Sequence, residues 1–470
     1  MIGEGGQREV PFFRLNDQGN AKALVYYYGG EIRYVPEEKH WLVWAGDHWK
    51  VSDGREVRNM ARETAVKRRA MLDTVQDQKL RDRMGRYLLG CQNDSRVKAA
   101  VTTAADLEEV VIPARELDAD PWLIGMQGGE VDLRAREWRP GRKESKLTMQ
   151  LGKGVKWDPE AKAVRWRKFL EEIFLGDQEL IEFVQMACGY CLTGSVQEQV
   201  MFVCLGEGAN GKSTFLGVLY RLFGDYATNT PFTTFDARSR SEQTNDLARL
   251  KGKRFVTIVE TSEDSYLAEE KVKQATGDDP LTCRFFYKEF FEYMPQFKIW
   301  MAANRMPGIK GVDWGIRRRL VVIPFERIFD KGERNDRLKE ELLGELSGIL
   351  QWCLEGLEMW KNGGLRDRMP KRVTEVVEKF REETDLLGQW LDEEVEKVDG
   401  EWGKAVELYA AYVEWMRARG CFVKNVTNWG RDLTSKGFEK KRKKDGVWYK
   451  GLRLAVGGGI GVGVGNERSL

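Results

Sequence analysis

Histidine is nearly absent, with only His40 and His48 in 470 residues. Both flank one tryptophan-rich stretch, so a histidine-based metal site or a Ser-His-Asp triad is excluded as the chemistry of this chain. Net charge is also scant, at +2, so any nucleic-acid binding must come from local basic patches and not from a global field. No apolar run approaches the roughly 20 residues of a membrane span. The first ten residues are polar and glycine-rich, without the basic segment and apolar core of a signal peptide. A cytoplasmic protein is expected, in the host cytoplasm if viral, with no membrane partner. The seven cysteines, Cys91, Cys188, Cys191, Cys204, Cys283, Cys353 and Cys421, are odd in number and lack framework spacing, which suits a reducing compartment. The single C-x-x-C, Cys188 to Cys191, lies in an apolar helical stretch with no second pair nearby, so buried thiols are favoured over half a zinc site or a redox pair. Internal repeats are also missing.

What is present reads as a multidomain globular enzyme. A hydrophobic content of 42% is that of an ordinary folded protein, and the length suggests about three domains. Residues 200–215 read V-M-F-V-C-L-G-E-G-A-N-G-K-S-T-F, an apolar run that stops at a glycine-rich turn. The match to G-x-x-x-x-G-K-[ST] uses Gly206, Gly211, Lys212 and Ser213, with a buried strand predicted before it and a helix after it. Nucleotide phosphates must be wrapped by backbone N–H groups at a helix N-terminus, which only small residues allow. Gly206, Glu207, Gly208, Ala209, Asn210, Gly211, Lys212, Ser213 and Thr214 are the expected ATP cradle. Lys212 would meet the β and γ phosphates, and the Ser213 hydroxyl would reach Mg²⁺.

Around this motif the spacing predicts an ordered series of elements. A short helix from Asn16 or Asp17, closing at Gly29-Gly30, leads to a hairpin holding Trp41 and Trp49, whose tryptophans are read as core. Charged helices follow over 55–89, and loops with short strands over 118–133. Two amphipathic helices over 166–192, split at Gly176-Asp177, deliver the chain to the glycine-rich turn. Residues 253–260 (K-R-F-V-T-I-V-E) form a second buried strand ending on Glu260, the candidate carboxylate for the Mg²⁺ shell and attacking water, with Glu263 and Asp264 beyond it in a solvated loop. A helix over 269–276 precedes a hairpin over 281–293 with Lys288 near its tip. A third strand, 297–303, ends at Asn304, a polar amide able to orient water. A fourth begins after Arg317, Arg318 and Arg319, three arginines that either face solvent or serve a phosphate.

The order G-E-G-A-N-G-K-S-T, K-R-F-V-T-I-V-E, Q-A-T-G-D-D-P-L-T-C-R-F-F-Y-K-E-F-F-E-Y, A-A-N and R-R-R-L-V-V-I-P-F resembles the motif series of superfamily III helicases of the phage and plasmid primase–helicase type. Residues 17–21, the Trp41 to Trp49 pair and V-D-L at 131–133 resemble that family's N-terminal helicase-associated region. The resemblance implies an AAA+-like core, an α/β P-loop NTPase, hexameric and moving along DNA with ATP. It implies that Lys212 and Ser213 serve phosphate and magnesium, Glu260 ends the acidic strand, Asn304 is the sensor and Lys288 contacts DNA. It also implies an arginine finger at Arg318 or Arg319, although the family's pattern has tryptophan where Arg317 stands. Nothing before Asn16 could hold a primase, so primer synthesis is not predicted.

Beyond the motor, apolar residues at helical spacing over 338–365 should pack on the core, and a charged helix runs from Pro370 to about Leu391. From Lys404 onward a helix, a turn at Gly420, a second helix near Trp429 and a hairpin suggest a winged helix. Residues 424–453 hold ten Lys/Arg against three Asp/Glu, a concentration suited to phosphate neutralisation at Lys440, Lys441, Arg442, Lys443 and Lys444. The expected organisation is an α+β N-terminal region (1–150), a helical connector (151–196), the ATPase core (197–330), a helical packing segment (331–385), a winged-helix-like DNA-binding domain (386–456) and a disordered glycine-rich tail (457–470). The function expected is an ATP-hydrolysing DNA helicase of a phage, plasmid or mobile element, acting as a ring on a single strand or fork, with a separately encoded primase or initiator as a further partner. The alternatives are a DNA-translocating packaging or remodelling ATPase and an ATP-switched origin-binding protein.

Overall fold

The computed structural model describes residues 12–238, 244–259, 266–285, 288–309, 316, 318–419, 421 and 423–455. The Asn16 side chain accepts from the Gly19 amide at 2.8 Å and starts α1 (Asp17–Tyr28). An antiparallel sheet of β1 (Ile32–Val35), β2 (His40–Trp44) and β3 (Trp49–Ser52) follows. Trp41 and Trp49 are buried in it, as expected of core residues. α2 (Arg55–Ala70), α3 (Gln78–Gly90) and α4 (Asp94–Ala104) gather beside α1. A second antiparallel sheet is built from β4 (Leu123–Met126), β5 (Gly129–Asp132) and β6 (Glu137–Pro140). Neither α4, with its weak helix formers, nor the largely exposed β6 was legible in the sequence.

The central region runs α5 (Val164–Ile173), α6 (Gln178–Leu192), β7 (Met201–Leu205), α7 (Lys212–Phe223), β8 (Ala227–Pro231), α8 (Thr244–Ala248) and β9 (Phe255–Val259). It continues through β10 (Tyr266–Leu267), α9 (Glu269–Thr276), β11 (Leu281–Cys283), β12 (Phe291–Tyr293), β13 (Lys298–Ala303), β14 (Gly308–Ile309) and β15 (Leu320–Pro324). Five strands pair in the order β15-β7-β13-β9-β8, all parallel. The sequence showed four of them. It hid β8, because Ala-Thr-Asn-Thr-Pro lacks an apolar run and its proline is tolerated at a sheet edge.

Both faces of this sheet are covered, as a parallel sheet requires. Alternate residues Phe202, Cys204, Phe255, Trp300, Val321 and Ile323 face α5, α6, α7 and the Leu346–Lys361 helix. Their neighbours Val203, Val256, Ile258, Ile299, Met301 and Val322 face Phe232, Phe235, α9 and the β11–β12 hairpin. Trp300 anchors the first face, stacked on Phe202 with 4.3 Å between ring centres and donating its indole N–H to Cys191 Sγ at 3.2 Å. Cys188 and Cys191 are buried free thiols, as are Cys204 and Cys353.

Two buried cations hold the amino ends of the strands. Arg254, just before β9, donates to the carbonyls of Leu192, Leu123 and Asp120. Lys298, the first residue of β13, donates to the Thr193, Ser195 and Gln296 carbonyls, the last two at 3.2 Å. Leu192 and Thr193 end α6, so both cations sit where a helix concentrates its negative potential.

The expected packing segment is two helices, Leu338–Leu343 and Leu346–Lys361. The second crosses α6 so closely that a methyl built on Gly356 would overlap the Gln185 carbonyl, and one on Gly189 the Leu357 amide. The charged helix expected from Pro370 is also divided, into Lys371–Thr384 and Leu386–Glu394, because Asp385 caps the second by accepting from the Gly388 amide at 3.0 Å. The C-terminal module then contains β16 (Val395–Lys404), helices Ala405–Ala418 and Val426–Ser435, β17 (Lys440–Lys443) and β18 (Gly446–Leu454), with its own core around Trp390, Tyr412, Trp429 and Tyr449. β16 is a bulged strand of charged residues and was not foreseen. The tail expected to be disordered lies outside the described residues. No helix among those described is long and apolar enough to cross a membrane.

The α6 crossing has no room for a methyl, so Gly356→Ala should destabilise the protein by about 1–3 kcal/mol through overpacking. Gly217→Ala, in α7 with nothing within reach of the new methyl, should be neutral or slightly stabilising in the same urea titration. Burial also pushes the Lys298 ammonium from 10.5 down to about 7. Between those values the unfolded chain holds the extra proton, so stability rises with pH, by at most about 1.4 kcal/mol per unit. Unfolding at pH 7 and pH 9 should show the wild type gaining on Lys298→Met at the higher pH. A difference independent of pH would mean that the ammonium stays charged on its three carbonyls.

Candidate functional site

β7 lies between β15 and β13, so the chain connections on its two sides leave in opposite directions and open a crevice at the carboxyl ends of the strands. Residues 206–211 cross that crevice. Their backbone is left-handed at Gly208 (φ 107°), Ala209 (φ 49°) and Gly211 (φ 87°). A side chain on Gly206 would overlap the Phe325 carbonyl, and one on Gly211 would come within 2.6 Å of Ile173. The glycine spacing is therefore a steric requirement of this turn.

The turn is pinned from a segment more than a hundred residues away. Asn210 Nδ2 donates to the Phe325 carbonyl at 3.2 Å, the Phe325 amide to Leu205 at 2.7 Å, and the Phe329 amide to Ala209 at 2.9 Å. Sequence reasoning missed this clamp, which carries no local motif. Among the described residues no protein acceptor takes the backbone N–H groups of residues 207–211. They precede the open first turn of α7, whose own N–H groups are unpaired by construction. Lys212 is buried, donates to the Gly206 carbonyl and to Asn210 Oδ1 (3.1 Å), and has its pKa lowered by burial. Ser213 is exposed beside it and Thr214 half-buried. Free N–H donors, a helix N-terminus and a partly desolvated ammonium together favour an anion.

The other candidates lie at several places. The Gly206 amide donates to the Ala303 carbonyl at 3.2 Å, which puts the exposed Asn304, the next residue, on the rim of the turn. β9 runs beside β13 with Val259 paired to Ala302, and Glu260 follows it. Glu260 itself, Glu263, Asp264 and Arg317 lie outside the described residues. Among those that are described, no cluster of three or more His, Cys, Asp or Glu side chains could hold a metal.

Arg318 and Arg319 precede β15, at the opposite end of the sheet from the turn, because Leu320 pairs with Met201 and Pro324 with Leu205. A five-residue strand puts them roughly 15 Å from it. Arg319 is buried and donates to Thr276 Oγ1 at 3.0 Å, whereas Arg318 is exposed. Lys288 is exposed on the β11–β12 connection, next to the N-terminal region: Lys251 pairs with Glu38 at 2.7 Å, and the charges of Lys288 and Lys251 add to burial in lowering the pKa of His40. Lys440, Lys441, Arg442 and Lys443 form β17, exposed throughout, and Lys444 opens the turn after it.

The parallel sheet with a glycine turn at its switch point, flanked by an α+β N-terminal region, is a mixed α/β fold consistent with superfamily III helicase architecture. Residues 21–175 match the family described as "D5 N terminal like", and residues 204–319 match a family of unknown function, DUF5906. The two matches cover separate parts of the chain, and its curated relatives include viral proteins described as helicases. Among its relatives, "Putative helicase L207/L206" of Acanthamoeba polyphaga mimivirus is 29% identical over 65% of this chain and 34% of its own length. "Putative helicase 022R" of Frog virus 3 (isolate Goorha) is 24% identical over 70% of this chain and 37% of its own. This chain thus spans about a third of the curated relatives it matches. The solved apo structure of the NrS-1 C-terminal region is similar in fold, with a TM-score of 0.51 at 12% identity, covering 92% of this chain and 99% of that one.

Proposed function

We propose that this chain is the ATP-hydrolysing motor of a DNA helicase that works as a ring during replication. The observation that carries the reading is the glycine turn at the sheet's switch point, with free N–H donors and a buried Lys212. In this reading residues 206–214 hold the phosphates of ATP, and Lys212 exchanges its acceptors in the turn for phosphate oxygens. Ser213 and Glu260 would hold Mg²⁺, which supplies charge neutralisation at the phosphates. Asn304 at the rim, and Glu260, the next residue in sequence after β9, would position the attacking water. The family similarity supports a helicase or primase-associated role. The winged-helix-like C-terminal module, with Lys440, Lys441, Arg442, Lys443 and Lys444, would add salt-sensitive DNA affinity.

Strand polarity supports the ring reading. Arg318 lies at the far end of the sheet from its own glycine turn and is free of the bond that ties Arg319 to Thr276. It is therefore the finger that would reach a neighbouring subunit's nucleotide. Arg318→Ala and Lys212→Ala should each lose turnover, and mixing them should restore part of the ATPase activity in shared interfaces. No recovery at any ratio, with assembly intact, would leave Arg318 a structural residue.

The fork test separates unwinding from translocation alone. On forks with 3′ or 5′ single-stranded tails the protein should separate strands and show DNA-stimulated ATPase activity, while Lys288→Ala should keep basal ATPase and lose both. Movement along blunt duplex without strand separation would favour a packaging or remodelling motor. An ATPase rate indifferent to DNA would favour an origin-binding switch.

A further inference from the structure

The β16-β18-β17 sheet has one covered face and one open face. Tyr449 points to the covered side, where its ring lies 5.7 Å from Trp429 and its hydroxyl donates to the Gly430 carbonyl at 3.2 Å. Its neighbour Trp448 points the other way. Lys404 and Lys441 are its register partners on the two flanking strands, so Lys404, Trp448 and Lys441 form one row across the sheet. Trp402 shares that side. Lys443 Nζ stands 4.2 Å from the Trp448 ring and 5.2 Å from Trp402; Lys441 Nζ lies 5.8 Å from Trp402, and Lys404 Nζ 5.8 Å from Trp448. Both indoles are only half-buried, and Lys441 and Lys443 are exposed.

We propose that this open face binds single-stranded nucleic acid, with bases stacked on Trp402 and Trp448 and phosphates taken by Lys441 and Lys443. The inference rests on the DNA reading above and specifies its site and strandedness. Charged residues on β17 alone would serve only to protect a sheet edge, but Trp448 is on the central strand and needs no such protection. The carboxylates at this surface are engaged, Glu396 and Glu401 both with Arg453. Asp445 pairs with Lys404 at 3.4 Å and accepts from the Trp448 indole at 3.1 Å, while Glu439 pairs with Lys450 at 3.5 Å. No carboxylate among the described residues pairs with Lys441 or Lys443.

The alternative surface, the Val426–Ser435 helix that would enter a duplex groove, is electrically quieter. Lys424 is neutralised by Asp432 at 2.8 Å and Lys436 by Asp385, leaving Arg431 as the helix's only unpaired cation among the described residues. Flat rings beside ammonium groups suit unstacked bases on a charged backbone, and the match is tolerant of sequence because every base offers a ring face.

The test uses the full chain, an oligothymidylate of about 16 nucleotides and a duplex of the same length. The double variant Trp402→Leu, Trp448→Leu should lose at least about 10-fold in single-strand affinity, with duplex affinity and salt slope unchanged. Trp402→Phe, Trp448→Phe keeps two rings and should retain most of that affinity, which separates stacking from misfolding. Lys441→Gln with Lys443→Gln should flatten the single-strand salt slope by about 1.4, two phosphates at about 0.7 each. Iodouracil-substituted oligothymidylate should photocrosslink to a peptide containing Trp402 or Trp448. If the lysine variant weakens single-strand and duplex binding alike while the leucine variant alters neither, the DNA reading stands and this proposal falls. If neither variant changes binding and crosslinks lie wholly outside the module, both readings of this surface fall.

Discussion

Two buried basic side chains, without a carboxylate partner among the described residues, tie the centre of this molecule together. Arg254 and Lys298 begin adjacent strands of the parallel sheet, and their donors reach backbone carbonyls that the ends of α6 and the β4 region would otherwise leave unpaired. A buried cation is costly unless its donors are satisfied. Here the acceptors belong to three separate stretches of chain, around Asp120 to Leu123, Leu192 to Ser195 and Gln296. The arrangement therefore fixes the N-terminal strands, the connector helix and the sheet in one geometry. Asp118, buried nearby with its pKa raised by that burial, is bonded to Thr148 rather than to Arg254. It leaves the guanidinium to the carbonyls.

Strand polarity then distributes the chemistry. Because all five strands run the same way, the glycine turn and Asn304 gather on one rim, while Arg318 and Arg319 gather on the other. The two rims are thus separated by the length of the sheet within one chain. The clamp from Phe325 and Phe329 links the rims indirectly, since β15 starts at the arginines and ends at the glycine turn.

Much of the central fold was legible because its elements obey short-range rules. β7, β9 and β13 are continuous apolar runs, α6 starts at an Asp cap, and the glycine turn is dictated by left-handed backbone. What escaped was decided elsewhere in the chain. β8 is a strand because β9 pairs with it, and β16 because β18 does. The Asn210 to Phe325 bond joins residues 115 apart. Trp402 and Trp448 lie 46 positions apart in sequence and share a surface only through a bulged strand. The arginine triplet was ambiguous for a related reason, since burial of Arg319 against Thr276 depends on α9.

The crossing of α6 with the Leu346–Lys361 helix carries a cost in time. Gln185 bonds to the Trp352 carbonyl across 167 residues, and α6 is almost entirely apolar in its buried positions. A ribosome making about 5–20 residues per second completes α6 on the order of ten seconds before its partner emerges. During that interval a sticky helix, with Gly189 leaving a gap in its apolar face, has no native surface to lie against. Synthesis of this protein should therefore lean on holdase chaperones until the Leu346–Lys361 helix closes over α6.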